Sequence, residues 1–108
     1  MMDSIRSNYI PMTETAFYIL FSLKTPRHGY GISQHVKNIT NGEVIIGPGT
    51  MYGTLSKMER DGLICIYTEV EKRKIYQITE IGEAVLNLEI KRIERLYKTA
   101  KEINLWKK

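Results

Sequence analysis

Thr50, Gly53, Lys57 and Arg60 recur along one short stretch at spacings that bring them to the same side of a helix, with Ser56 beside them, and Lys72, Arg73 and Lys74 follow as an unbroken basic run. Hydroxyl groups donate hydrogen bonds, ammonium and guanidinium groups bring charge, and a glycine without a side chain permits close approach. This is the chemistry of contact with a phosphate backbone. Taken alone, the first stretch reads slightly better as an ordinary solvated face, because polar outer faces are the rule for amphipathic helices. The basic run beside it shifts the balance, since a charged turn next to such a helix concentrates positive potential.

Local signals specify the elements that position these residues. Pro48 pre-sets the backbone just before a helix, Thr50 is a plausible capping residue, and Gly62 ends the pattern after Asp61, which leaves about three turns. Met51, Leu55 and Met58 form its apolar stripe, and Tyr52 lies on the flank. Leu63 to Val70 and Lys74 to Thr79 are rich in β-branched and aromatic residues whose alternation gives Ile64, Ile66, Ile75 and Ile78 buried roles. They pair as a hairpin around a turn carrying Lys72, Arg73 and Lys74 against a single Glu71.

Upstream, residues 1–11 read as irregular, and Thr13 caps a helix from Glu14 to about Lys24. Ala16, Phe17, Leu20 and Leu23 share its face, while Tyr18, Ile19 and Phe21 make it apolar nearly all round, as in a central helix or one covered by a partner. The turn TPRHG leads to a second helix, roughly Tyr30 to Ile39, with Ile32, Val36 and Ile39 in a stripe. Val44 to Ile46 is long enough only to add a three-residue strand to the hairpin edge. The order helix, helix, short strand, helix, strand, strand is the winged variant of the helix-turn-helix. The expected fold class is therefore α+β, mainly α: a winged helix-turn-helix DNA-binding domain over residues 1–79, with a long C-terminal dimerisation helix over residues 80–108, one compact domain overall.

The bulk properties agree. A chain of 108 residues with net charge +4 and a pI near 9.2 suits an anionic partner such as nucleic acid. Without an apolar run long enough to span a bilayer or a signal-peptide pattern, the expectation is a cytoplasmic protein with no membrane partner. Cys65, the one cysteine, sits in a strand pattern as a small buried hydrophobe. No catalytic constellation, metal-ligand spacing or phosphate loop is visible: His28 lies in a turn, His35 on the polar side of the second helix, and GPG before Thr50 is a helix-start turn. The chain is expected to be no enzyme and to need no cofactor or metal.

In PMTETAFYILFSL, HGYGI, GPGTMYGTLSKMERDGLI and RKIYQITEIGE, the chain resembles the PadR family of bacterial transcriptional regulators, from about Pro11 to Ala100. The resemblance implies that the helix matching residues 49–60 is the recognition helix, with Thr50, Tyr52, Gly53 and Lys57 as groove and phosphate contacts. It makes Lys72, Arg73 and Lys74 the wing tip. Tyr30 matches the start of the second helix, where a phenol can touch phosphate or lie as a lid on the core. Tyr76 belongs to the family's RKxYxLT strand and reads as packing, or at most a backbone contact.

After Thr79 a final helix runs from Ile81 to about Ile103, some 35 Å. Leu86, Ile90, Ile93, Tyr97 and Ala100 repeat at spacings of four, three, four and three, and Ile81, Val85, Leu88, Leu96 and Ile103 form a second ridge. Two ridges imply two packing partners, hence a homodimer, and in the PadR family this helix is the dimerisation element. A two-fold dimer sets two recognition helices about one DNA turn apart, so an inverted-repeat operator is expected. Some PadR-like multidrug sensors stack flat aromatic ligands on a tryptophan in the middle of this helix. Ile93 occupies the equivalent region here, leaving Tyr97 and an apolar dimer crevice to hold a small-molecule effector of unspecified identity. Trp106, the only tryptophan, reads as a terminal anchor on the partner. The expected function is a dimeric, sequence-specific repressor; the alternative is a winged-helix protein-protein interaction module without specific DNA binding. Clustering of Lys57, Arg60, Lys72, Arg73 and Lys74 on one surface favours the first, dispersal the second.

Overall fold

The computed structural model describes residues 2–106. Its elements are α1 (Met2–Tyr9), α2 (Glu14–Ser22), α3 (Gly29–Ile39), α4 (Pro48–Arg60), β1 (Ile64–Val70), β2 (Arg73–Ile78) and α5 (Glu80–Trp106). Ile19, Leu20 and Leu23 of the α2 region, Ile32 and Val36 of α3, Met51, Leu55 and Met58 of α4, and Val85 and Leu86 of α5 form the core.

Several local expectations hold. Thr13 caps α2 by accepting from the Ala16 N–H at 3.1 Å. At the end of α4, Gly62 turns into the left-handed region (φ 83°). Its N–H then reaches the Glu59 carbonyl at 3.1 Å and the Leu63 N–H reaches the Met58 carbonyl at 2.9 Å, a Schellman closure.

Others are corrected. Residues 1–11 are not irregular throughout, because α1 occupies Met2–Tyr9; its Tyr9 ring is buried against the core. Thr50 is not the cap of α4: Gly47 is, with Pro48 already the first helical residue, where its missing N–H costs no hydrogen bond. Val44 to Ile46 forms no strand. The sheet has two strands, and the extra edge pairing comes from Arg27, whose N–H and carbonyl exchange bonds of 3.0 and 2.9 Å with Tyr76. Tyr76 is thus both packed, as expected, and anchored through its backbone. Ile66 and Ile39 are exposed rather than buried, because the hairpin projects beyond the core and α3 ends at its margin. His35 is not on a polar face: its ring stacks on Phe21, and Nδ1 lies 2.9 Å from the Ser22 hydroxyl. Leu86, expected in the dimer row, lies in the core of its own protomer at 1 % exposure. The side chain of Trp106, with Lys107 and Lys108, lies outside the described residues.

Thr79 ties three elements together. Its hydroxyl donates to the Gly62 carbonyl at 2.6 Å and accepts from the Gly82 N–H at 3.1 Å, while its N–H donates to the Leu63 carbonyl at 3.0 Å. The first turn of α5 therefore lies on the backbone at the end of α4, and a Cβ at Gly82 would overlap the Leu63 carbonyl oxygen and the Ile78 side chain. Backbone cannot rotate aside as a side chain can. Gly82→Ala is expected to destabilise the fold by about 2–3 kcal/mol, read as a lower urea midpoint with an unchanged slope.

The hairpin turn is strained by its sequence. Val70 pairs with Arg73, so Glu71 and Lys72 form a two-residue loop, both at positive φ (50° and 66°). Such loops favour Asn-Gly, because an L side chain in this region is costly. Replacing Glu71 by Asn together with Lys72 by Gly is expected to raise stability by about 1 kcal/mol, read as a higher urea midpoint.

Candidate nucleic-acid interface

The N-terminal part of α4 is bordered on one side by the hairpin and the start of α3. There Tyr30, Tyr52, Ser56, Lys72, Arg73 and Lys74 line an open cleft of about 400 Å³. Tyr30 is 60 % exposed, which excludes the role of a core lid; the Arg73 guanidinium carbon lies 6.0 Å from its ring centre. Tyr52 is half exposed and rests against the start of α3, where Gly29 leaves room for it: a Cβ there would meet the Tyr52 hydroxyl oxygen at 2.8 Å. The absent side chain at Gly29 thus sets the direction in which Tyr52 leaves α4. Tyr76 forms the floor, and burial, followed by the Glu59 carboxylate, pushes its phenol pKa up.

On the other side of α4, Thr50, Gly53 and Lys57 share a shallow groove with Tyr9 and Pro11. Gly53 is exposed with open space above it, as close backbone approach requires. Lys57 is held in a small network: its Nζ lies 2.9 Å from Asp61 Oδ2 and 4.4 Å from the Tyr9 ring centre, and the Tyr9 hydroxyl donates to the same carboxylate oxygen at 2.7 Å. The anticipated residues therefore divide into two groups flanking α4, and the clustering expected of the cations holds for Lys72, Arg73 and Lys74 on the wing but not for Lys57, which lies apart from them. Sequence reasoning missed Tyr9 and Asp61 because residues 1–11 carried no recognised helix. It also passed over His28, which sits at the mouth of the wing cleft. A histidine directly before the GYGI helix was the available signal, since its ring nitrogen can cap a helix.

Hydrogen bonding from Lys57, and then from Tyr9, holds the Asp61 carboxyl below its ordinary value of 3.8. Burial, then the bond to Asp61, raises the Tyr9 phenol, and the bond to Asp61 raises the Lys57 ammonium. A depressed carboxyl pKa gives stability that is fully present above the unfolded value and disappears as pH falls through the folded one. The contact between α1 and α4 is accordingly expected to loosen below about pH 3.8. Tyr9 ring resonances should follow that change in wild type and lose their pH dependence there in Asp61→Asn.

A helix-turn-helix whose exposed helix is flanked by a two-stranded basic wing defines a winged-helix DNA-binding protein. A profile of the transcriptional regulator PadR-like family matches residues 19–88, and the chain belongs to that family. It is a transcriptional regulator, not an enzyme. An uncharacterized protein of Lysinibacillus sphaericus is 32% identical over 87 residues, covering 77% of this chain and 80% of the other. A PadR family transcription regulator from Clostridium difficile superposes with a TM-score of 0.73 at 27% identity, over 84% of this chain and 98% of that one. Bacillus subtilis PadR in complex with operator DNA has the same fold, with a TM-score of 0.62 at 22% identity over 69% of this chain and 46% of that one. Among the described residues no helix is long and apolar enough to cross a membrane.

Proposed function

We propose that the protein is a homodimeric, cytoplasmic repressor that binds an inverted-repeat operator and is released by a small-molecule effector. The observation that carries this reading is the apolar surface of α5. Beyond Glu89 the helix leaves the core, yet Ile90, Ile93, Leu96 and Tyr97 stay between 38% and 63% exposed. Ile93 borders Phe17 and Tyr18 of α2, so this ridge continues into an aromatic patch suited to a second copy of the chain. Ile90, Ile93, Tyr97 and Ala100 form the interface row in this reading, which assigns residues 1–79 to the DNA-binding unit and residues 80–108 to dimerisation.

Within each protomer, Tyr30, Tyr52, Lys72, Arg73 and Lys74 contact DNA on the wing side of α4, and Thr50, Gly53 and Lys57 do so on the α1 side. The cations position the protein on phosphates, whereas Thr50 and Tyr52 are placed to affect sequence preference. The operator complex of Bacillus subtilis PadR supports DNA as the partner. The crevice of about 330 Å³ bounded by Phe17, Tyr18, Arg92 and Ile93 is the candidate effector site.

Selection of binding sequences from a random duplex pool tests the reading. Enrichment of an inverted repeat with half-sites about one helical turn apart is expected. Enrichment of a single unrepeated half-site would exclude the two-fold arrangement.

A further inference from the structure

His28 lies outside the residues that the sequence assigns to DNA contact, yet its ring has a defined role fixed by two neighbours. Its Nδ1 accepts the Gly31 N–H at 3.0 Å. A backbone N–H can only donate, so Nδ1 carries a lone pair and the proton of the neutral ring sits on Nε2. That Nε2 lies 3.4 Å from Nη1 of Arg73, which can also only donate. Two donors thus converge from different elements, the start of α3 and strand β2, and neither can satisfy the other.

Tyr30 backs both groups: its ring lies 6.3 Å from the His28 ring at an interplanar angle of 23°, and the Arg73 guanidinium carbon is 6.0 Å from its centre. Lys72 and Lys74 line the same cleft. An acceptor bearing several lone pairs and negative charge resolves the conflict, receiving one hydrogen bond from neutral imidazole and one from guanidinium. We propose that His28 and Arg73 form a two-donor clamp for a single phosphodiester oxygen of the DNA backbone, coupling the wing to α3. This inference rests on the DNA-binding reading above and adds a residue with a distinct thermodynamic signature. Arg73 neutralises a phosphate and displaces a counterion, whereas His28 contributes a hydrogen bond without a charge.

The test uses a labelled mixed-sequence duplex, since a backbone contact is independent of sequence, and follows anisotropy across a salt series. His28→Asn keeps the cap, because the Asn side-chain oxygen can accept from Gly31, but removes the Nε2 donor. It is expected to bind about ten-fold more weakly with an unchanged salt slope. Arg73→Gln should weaken binding and flatten the slope by about 0.9 for each phosphate that the guanidinium had neutralised. The double variant should lose less than the product of the two single losses, because one oxygen serves both donors. His28→Asp, also a capping residue, puts a carboxylate against the phosphate and should bind more weakly than His28→Asn, which keeps the proposal testable if one variant folds poorly.

His28→Asn binding as tightly as wild type would overturn the clamp while leaving the regulator reading intact. Wild-type protein that bound no duplex even at low salt would overturn both. Imidazole nitrogen resonances separate the sources of phosphate: a His28 shift that saturates with duplex long before inorganic phosphate supports the backbone contact. Saturation by inorganic phosphate with no response to duplex would make this a free-anion site and overturn the assignment.

Discussion

Replacing Lys72, Arg73 and Lys74 together by glutamine is expected to lower affinity for duplex DNA by about a thousandfold at physiological salt. The three cations lie at the tip and on one strand of the wing, all exposed and all lining the cleft beside α4. If each neutralises one phosphate and the protein binds as the proposed dimer, the substituted protein leaves about six phosphates to their counterions. The slope of log affinity against log salt should then flatten by about 5. Fold stability should stay close to wild type, because the charges are solvated and the core packing of Ile64, Tyr76 and Ile78 at the base of the hairpin is untouched. Circular dichroism and urea unfolding check the second statement, and anisotropy across a salt series the first. An undiminished slope would place the phosphate-binding groups elsewhere on the surface.

Ile93→Asp is expected to have an effect of similar size by a different route. Ile93 is 38% exposed in the protomer, so a carboxylate there meets water and leaves the isolated fold standing. Against a second α5 the same carboxylate would be buried without a partner, a cost sufficient to separate two copies. Sedimentation should find monomers, and affinity for an inverted repeat should fall by at least about a thousandfold because the second half-site no longer binds with the first. Affinity per protomer for mixed-sequence DNA should change little. Leu86→Asp provides the contrast: it lies in the protomer core, so its expected result is an unfolded chain rather than a folded monomer.

The fold was legible where one signal sufficed. The stripe Met51, Leu55 and Met58, the stop at Gly62, and the presence of two strands each follow from local periodicity, turn chemistry or β-branched composition, whereas the alternation expected within the strands does not hold: Ile66 is exposed and Tyr76, not Ile75, is the buried residue of β2. The α5 ridges were also visible, but periodicity could not tell which residues face the protomer and which face outward. Leu86 and Ile90 belong to the same row, yet the core ends between them, a tertiary boundary with no local marker. Arg27 was equally illegible as a strand partner, since one backbone bridge to Tyr76 leaves no alternation to detect.

The candidate site was readable in its cations and hydroxyls and less so in its geometry. Lys57 and Lys72 look alike in sequence, but Asp61 and Tyr9 hold the first against α1 while the second stands on the wing. Gly29 and Gly82 carry no chemistry in the sequence. The structure gives them purposes: one admits the Tyr52 ring, and the other admits the Leu63 carbonyl. The Gly31 N–H, a local neighbour, assigns the His28 ring proton, but the second donor that it faces comes from a residue 45 positions away.

The most direct measurement is fluorescence anisotropy with the DNA upstream of the protein's own gene, titrated in the presence of excess mixed-sequence competitor and repeated over a salt series. Binding that resists competitor and weakens steeply with salt, with two protomers per duplex at saturation, is the predicted result. Binding no tighter than to the competitor, both there and for every sequence recovered by selection from a random pool, would contradict a sequence-specific regulator.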